Sequence, residues 1–170
     1  MQATTVKLYT LGYNDVRTYM AAALFVVGNI ALPQLFHLLP QGGMVWLPIY
    51  FFTLAGAYKY GWRVGLLTAL LSPVVNSALF GMPAPAALPA ITIKSVLLAI
   101  AAGWAAARYN KVSLPLLAAV VLAYQVAGTL CEWAITSSLV AALQDFRIGV
   151  PGMLLQVFGG YAFVHGLLRR

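Results

Sequence analysis

Apolar runs and short polar interruptions alternate along this chain. In residues 1–17, Val6, Leu8, Tyr9, Leu11 and Tyr13 mix with Lys7, Asn14, Asp15 and Arg17. That mixture predicts an interfacial segment, with Asn14 or Asp15 capping the helix that follows. Six apolar spans are predicted after it, at about Thr18–Leu35, Val45–Tyr58, Val64–Leu79, Ala90–Ala107, Leu114–Trp133 and Val150–Leu168. Pro48 and Pro115 suit first helical turns, Pro33 falls close to a helix end, and Pro73 predicts a bend in the third span.

The connections carry turn chemistry. Phe36–Met44 contains Pro40, Gly42 and Gly43, and Lys59–Arg63 is a tight basic turn around Gly61. Gly81–Pro89 holds three prolines in nine residues and cannot be regular helix. Ala134–Gly149 is the longest connection and contains Gln144, Asp145 and Arg147. Several spans are short, and a five-span count follows if the second and third form one broken hairpin. The basic turn at Gly61 argues for two full spans. No internal repeat and no separate soluble domain emerge.

Composition turns these spans into a membrane protein. Of 170 residues, 62% are hydrophobic and 8% charged, with a mean hydropathy of +0.89. A soluble domain of this size carries about 25% charged residues. The net charge of +7 is scattered between apolar runs rather than gathered on one polar face, which excludes a nucleic-acid surface. The single cysteine, Cys131, allows no intrachain disulfide. No cleavable signal peptide is evident. Eight of the ten cations (Lys7, Arg17, Lys59, Arg63, Arg108, Lys111, Arg169, Arg170) fall on one side, and Arg147 alone falls on the other. An all-α integral membrane protein with both termini cytoplasmic is predicted, residues 1–17 interfacial and 18–168 a six-helix bundle.

The tenth cation, Lys94, lies inside a span. A charge at the centre of the hydrocarbon costs roughly 2.5–3.5 kcal/mol on insertion scales, so it needs a partner, a wet cavity or a task. At about 1.5 Å per residue, Lys94 lies roughly one turn below the outer end of the fourth span. Asn76, Glu132 and Gln156 fall in the outer halves of the third, fifth and sixth spans. Gln125, Thr129 and Glu132 form one stripe at helical spacing, and so do Ser72 and Asn76. Lipid cannot satisfy such groups, so the stripes face inward. A pocket opening outward beneath proline-broken loops is predicted, not a pore, because the polar lining stops short of the inner face.

Two uses of Lys94 and Glu132 stay open, an ion pair joining two helices or contacts to a ligand. Asn76, Gln125 and Gln156 are further candidates, alongside interhelical bonding. Trp46 and Trp133 suit an aromatic belt or stacking on a flat ligand. His37 and Arg147 lie in loops over the pocket. A lone histidine is a poor metal site, so neither metal nor cofactor is expected. A lone cation in a pocket points to an anionic group on the ligand, and the aromatics to a flat ring. Small residues on the first span, Ala21, Ala22 and Gly28, let helices approach closely, within the bundle or against a partner.

The residues Gly42-Gly-Met-Val-Trp-Leu-Pro48, Gly61-Trp-Arg-Val-Gly-Leu-Leu-Thr-Ala-Leu-Leu-Ser-Pro73 and Phe80-Gly-Met-Pro83 with Leu88-Pro89 are similar to the outer loops and the second and third helices of substrate-binding S components of energy-coupling factor (ECF) transporters. The resemblance extends over nearly the whole chain in size, helix count and loop placement. It implies high-affinity capture of a vitamin-like micronutrient at the extracytoplasmic face of a bacterial cytoplasmic (inner) membrane. It also implies a membrane coupling subunit and two cytoplasmic ATPases as partners, since the chain has no Walker motif and is not expected to be an enzyme. The family's alanine pair four apart on the first helix is not matched: Ala21–Ala23, Gly28 and Ala31 stand there instead. Cobalt and nickel members carry histidine as the second residue, and Gln2 here argues against metal uptake. A secondary transporter would need polar groups reaching the inner face or an inverted repeat. An embedded enzyme would need a catalytic cluster, and a purely structural subunit leaves the polar chamber unexplained.

Overall fold

Asp15 starts the first long helix: its Oδ1 accepts from the Arg17 N–H at 2.9 Å, and α1 runs Val16–Phe36. The computed structural model describes residues 4–5 and 10–168. After α1 come α2 (Gly42–Trp46), a 3-10 turn (Pro48–Tyr50), α3 (Phe51–Tyr60), α4 (Trp62–Phe80), α5 (Leu88–Tyr109) and α6 (Leu114–Thr136). The short helices α7 (Leu139–Ala142), α8 (Gln144–Ile148) and α9 (Val150–Leu154) follow, then a π-helical turn (Leu155–Gly159) and α10 (Gly160–Leu168). Five helical stretches are long and apolar enough to cross a membrane: Val16–Phe36, Trp62–Phe80, Leu88–Tyr109, Leu114–Thr136 and Val150–Leu167. The protein is an all-α, multi-pass membrane protein.

The second predicted span, Val45–Tyr58, is not a continuous helix. It breaks at Leu47, whose φ of 46° is left-handed. Pro48 disfavours right-handed helix at the residue before it, and its ring suits the turn that follows. The 3-10 turn and α3 together reach only roughly 20 Å, against the roughly 30 Å of a hydrocarbon core. Protein surrounds what is left of the span. Thr53–Lys59 are all buried, and α3 packs against α1, α4, α5 and α10. The rest of the predicted span is the last turn of α2 and the 3-10 turn.

Small residues bring the helices together. A Cβ on Gly65 would lie 2.3 Å from the Ala57 Cβ, and one on Gly28 would lie 2.8 Å from the Phe52 ring. Ala22 is buried, and Ala21 is half-buried against the core. The three small residues of α1 read as a docking surface thus pack, at least in part, within the bundle. Of the interfacial segment, only residues 4–5 and 10–17 fall within the described residues, and Lys7, Arg169 and Arg170 lie outside them.

One end of the bundle is tied by short-range contacts. The backbone of Thr4–Thr5 pairs antiparallel with Lys111–Val112, and the Leu11 N–H donates to the Tyr60 carbonyl at 3.2 Å. The Tyr58 hydroxyl donates to the Lys111 carbonyl at 2.5 Å. Arg63 lies over the rings of Tyr13 and Trp62, 5.6 and 5.1 Å from their centroids. Arg17, Lys59, Arg63, Arg108 and Lys111 all belong to this end. The opposite end holds α2, the 81–87 loop and α7–α9, and there the bundle is hollow.

A charged cavity at one end of the bundle

Pro89 opens α5 at its first turn, and the buried face of this helix then carries Ala90, Lys94, Ser95 and Leu98. On α6 the facing stripe reads Gln125, Gly128, Thr129 and Glu132, at helical spacing. Gly128 makes the meeting of the two possible. A Cβ there would lie 2.4 Å from the Lys94 Cγ, so the lysine stem crosses α6 only where a side chain is missing. One turn further along, Lys94 Nζ reaches Glu132 Oε2 at 2.5 Å. Asp145, in the first turn of α8, supplies a second carboxylate oxygen at 2.8 Å. Lys94 is 3% exposed.

Sequence reasoning paired Lys94 with Glu132 and missed Asp145, taking Arg147 from the same loop instead. Arg147 is exposed and off the cavity wall, and Lys94, the one Lys or Arg among the lining residues, is not unpaired but held by two carboxylates. A signal was there. The chain has three acidic residues, Asp15, Glu132 and Asp145, and only the last two belong to the end of the bundle that holds Lys94. A buried ammonium in a protein so poor in acids draws on both.

The triad lies on the wall of a cavity of about 510 Å³. The broken stretch of chain ahead of α3 forms one side, through Gly42, Met44, Leu47 and Tyr50. Met82, Pro83 and Ala87 form another, with Ala90 and Ile91 of α5 below them. Ala141, Gln144 and Asp145 close the third, and Gln144 Nε2 donates to Met44 Sδ at 2.9 Å across the top. Gly152 lets the broken turn approach closely from behind, since a Cβ on it would meet the Trp46 carbonyl oxygen at 2.5 Å. The wall is apolar except for His37, Gln41, Tyr50, Asn76, Gln144 and the triad. Among the described residues no group of three or more His, Cys, Asp or Glu is placed to hold a metal ion.

The sequence-predicted residues divide three ways. Lys94, Glu132, Asn76 and His37 line the cavity. Gln125 and Gln156 do not. They are fully buried and joined through Tyr124, whose hydroxyl donates to Gln156 Oε1 at 2.8 Å and accepts from Gln125 Nε2 at 3.1 Å. Gln125 Oε1, Thr129 Oγ1 and Gln156 Nε2 have no hydrogen-bond partner among the described residues. Trp46 stacks on Phe36 with centroids 5.4 Å apart, and Trp133 is exposed; neither lines the cavity.

A neutral network lies beside the triad. Asn29, fully buried on α1, donates to Thr53 Oγ1 at 3.0 Å and Ser72 Oγ at 3.2 Å. Its Oδ1 accepts from the Phe52 N–H at 3.1 Å, one of the donors that the break before α3 leaves without a helical partner. Asn76 Nδ2 donates to the Asn29 carbonyl at 2.8 Å, and Ser95 meets Thr53 at 3.4 Å. Four helices are joined through one asparagine that sequence reasoning passed over. Compared with known proteins, the chain matches no family model, no curated protein and no solved structure.

Proposed function

We propose that this protein captures a small, water-soluble, vitamin-like molecule at the extracytoplasmic face of a bacterial inner membrane and hands it to an ATP-driven uptake machine. In this reading the chain crosses the membrane six times, counting Pro48–Tyr60 as the short second pass, with both termini cytoplasmic. The cation-rich end then faces the cytoplasm, as the positive-inside rule expects. The hollow end faces outward. The partners are a membrane coupling subunit and two cytoplasmic ATPases, as the resemblance to ECF S components implies.

One observation carries the reading: a cavity of about 510 Å³ at the end opposite the cation-rich one, roofed by loops and floored by a buried ion cluster. Its size suits a small ligand, and an apolar wall with a few convergent polar groups is the usual build of such a site. The opposite end is packed, with Gly65 against Ala57 and Gly103 against Trp62. That asymmetry fits capture by a subunit that delivers with the help of others, rather than a path running through the chain.

The test is direct. Protein purified from its native membrane in mild detergent is denatured, and released small molecules are identified by mass spectrometry. A stoichiometric compound is expected, with ATPase subunits in the same preparation. A preparation free of both, which still unfolds cooperatively, refutes capture. If Lys94→Ala abolishes folding rather than ligand content, the cluster serves as a structural ion pair.

A further inference from the structure

The Lys94 cluster does not balance. One ammonium faces two carboxylates, and no other Lys, Arg, Asp or Glu lines the cavity. Lys94 spends its contacts on Glu132 Oε2 and Asp145 Oδ2. Glu132 Oε1 and Asp145 Oδ1 have no hydrogen-bond partner among the described residues, although both side chains line the cavity. Tyr50 adds an independent sign. It lines the same wall, is 2% exposed, and its hydroxyl has no hydrogen-bond partner among the described residues. Asp145 and Glu132 line the same cavity. The Tyr50 ring is held against Tyr124, with centroids 5.6 Å apart.

We infer that the ligand carries a cationic N–H donor, an ammonium or amidinium group, which is bound by the free oxygens of Glu132 and Asp145 with the Tyr50 hydroxyl. The inference rests on the capture reading and names the chemical class of its ligand. Lys94 is then not the group that recognises the ligand. It acts as a fixed counter-ion that draws two mutually repelling carboxylates together and leaves one negative charge uncancelled. A cation entering the cavity completes the count, and charge-assisted bonds to ionised oxygens are the strong kind. An anionic ligand would have to displace a carboxylate from Lys94 and leave it unpaired inside the protein, which is costly. The apolar remainder of the wall favours an organic cation over a bare metal ion, whose hydration shell this wall cannot replace.

Thermal unfolding of the purified full-length protein in detergent provides the test, with three probes of one ring and different charge: benzylamine, benzyl alcohol and benzoate. Benzylammonium is expected to raise the unfolding midpoint by several degrees at millimolar concentration, and benzoate to leave it unchanged. Asp145→Asn, which balances the cluster, should weaken benzylammonium binding about tenfold or more. Tyr50→Phe should weaken it less while leaving the unliganded midpoint close to that of the parent. Stabilisation by benzoate but not benzylammonium overturns the charge assignment and leaves capture standing. Stabilisation by sodium over N-methylglucamine, without any by benzylammonium, also overturns it, in favour of a metal-cation site. Equal stabilisation by all three probes shows a merely apolar pocket and overturns it too. No stabilisation by any probe, with no small molecule eluting from the native protein, overturns both inferences.

Discussion

Two polar clusters lie side by side in this bundle and follow opposite rules. Around Asn29, both side-chain N–H donors are used, the side-chain oxygen accepts from Phe52, and the main-chain carbonyl accepts from Asn76. Around Lys94, one donor group serves two carboxylates that line an open cavity, and each keeps an oxygen without a hydrogen-bond partner among the described residues. The adjacent residues Lys94 and Ser95 lead into one cluster each. A closed network adds cohesion, since its buried groups are satisfied. An open one beside a hollow retains unused capacity, and a site needs that. Burial alone does not separate them, because Asn29 and Lys94 are almost equally hidden.

The largest expected effect is on the charged side. Lys94→Ala leaves two carboxylates facing each other without a counter-ion, and roughly 3–5 kcal/mol of stability should go with the buried pair. Chemical denaturation in detergent measures the loss. The double variant Lys94→Ala with Asp145→Ala should recover much of it, whereas a lysine held by packing alone would show no rescue.

Next comes the closed network. Asn29→Ala strips partners from Thr53, Ser72 and the Phe52 N–H, each a desolvation cost of about 1–3 kcal/mol partly relieved by relaxation. The unfolding midpoint should drop sharply. Benzylammonium binding measured well below that midpoint should stay within about threefold, below the tenfold that marks 1.4 kcal/mol. A large loss of binding without a loss of stability would show that the two clusters act as one.

Gly128→Ala should be milder, about 1–3 kcal/mol as an over-packing change, with a specific signature. The new methyl displaces the Lys94 stem, so binding should suffer more than stability does. Comparing the two readouts in one preparation checks this. Smallest of all are Trp133→Ala and Arg147→Ala, both exposed and off the wall. Each should stay within about 0.5 kcal/mol of the parent in stability and leave probe binding unchanged.

Much of this architecture could be read from hydropathy alone. Four of the six predicted spans became single long helices, and their ends moved by only a few residues, because an apolar stretch of that length in lipid has few choices other than helix. The sixth is completed through α9, the π-helical turn and α10. The second failed as a continuous helix. Its apolar residues look like those of the other spans, but Leu47-Pro48 breaks the hydrogen-bond ladder, and burial against α1, α4 and α5 makes a short α3 sufficient. Depth likewise placed Lys94, Glu132 and Asn76 at one level. It placed Gln125 and Gln156 near them too, yet these turn to Tyr124 instead.

The sequence by itself determined which segments are greasy, which end of the bundle collects cations, and that one ammonium must find company inside. Periodicity and the cost of stranded charge suffice for all of that. Only the tertiary structure decided who the company is. Asp145 stands 51 residues from Lys94 and reaches it because α8 folds back beneath a loop roof tied to α2. Gly128 matters for a reason no hydropathy reading contains: its missing Cβ is the passage for the lysine stem. Long-range partners depend on where loops return in space, and that is set by the packing of the whole bundle rather than by any local pattern.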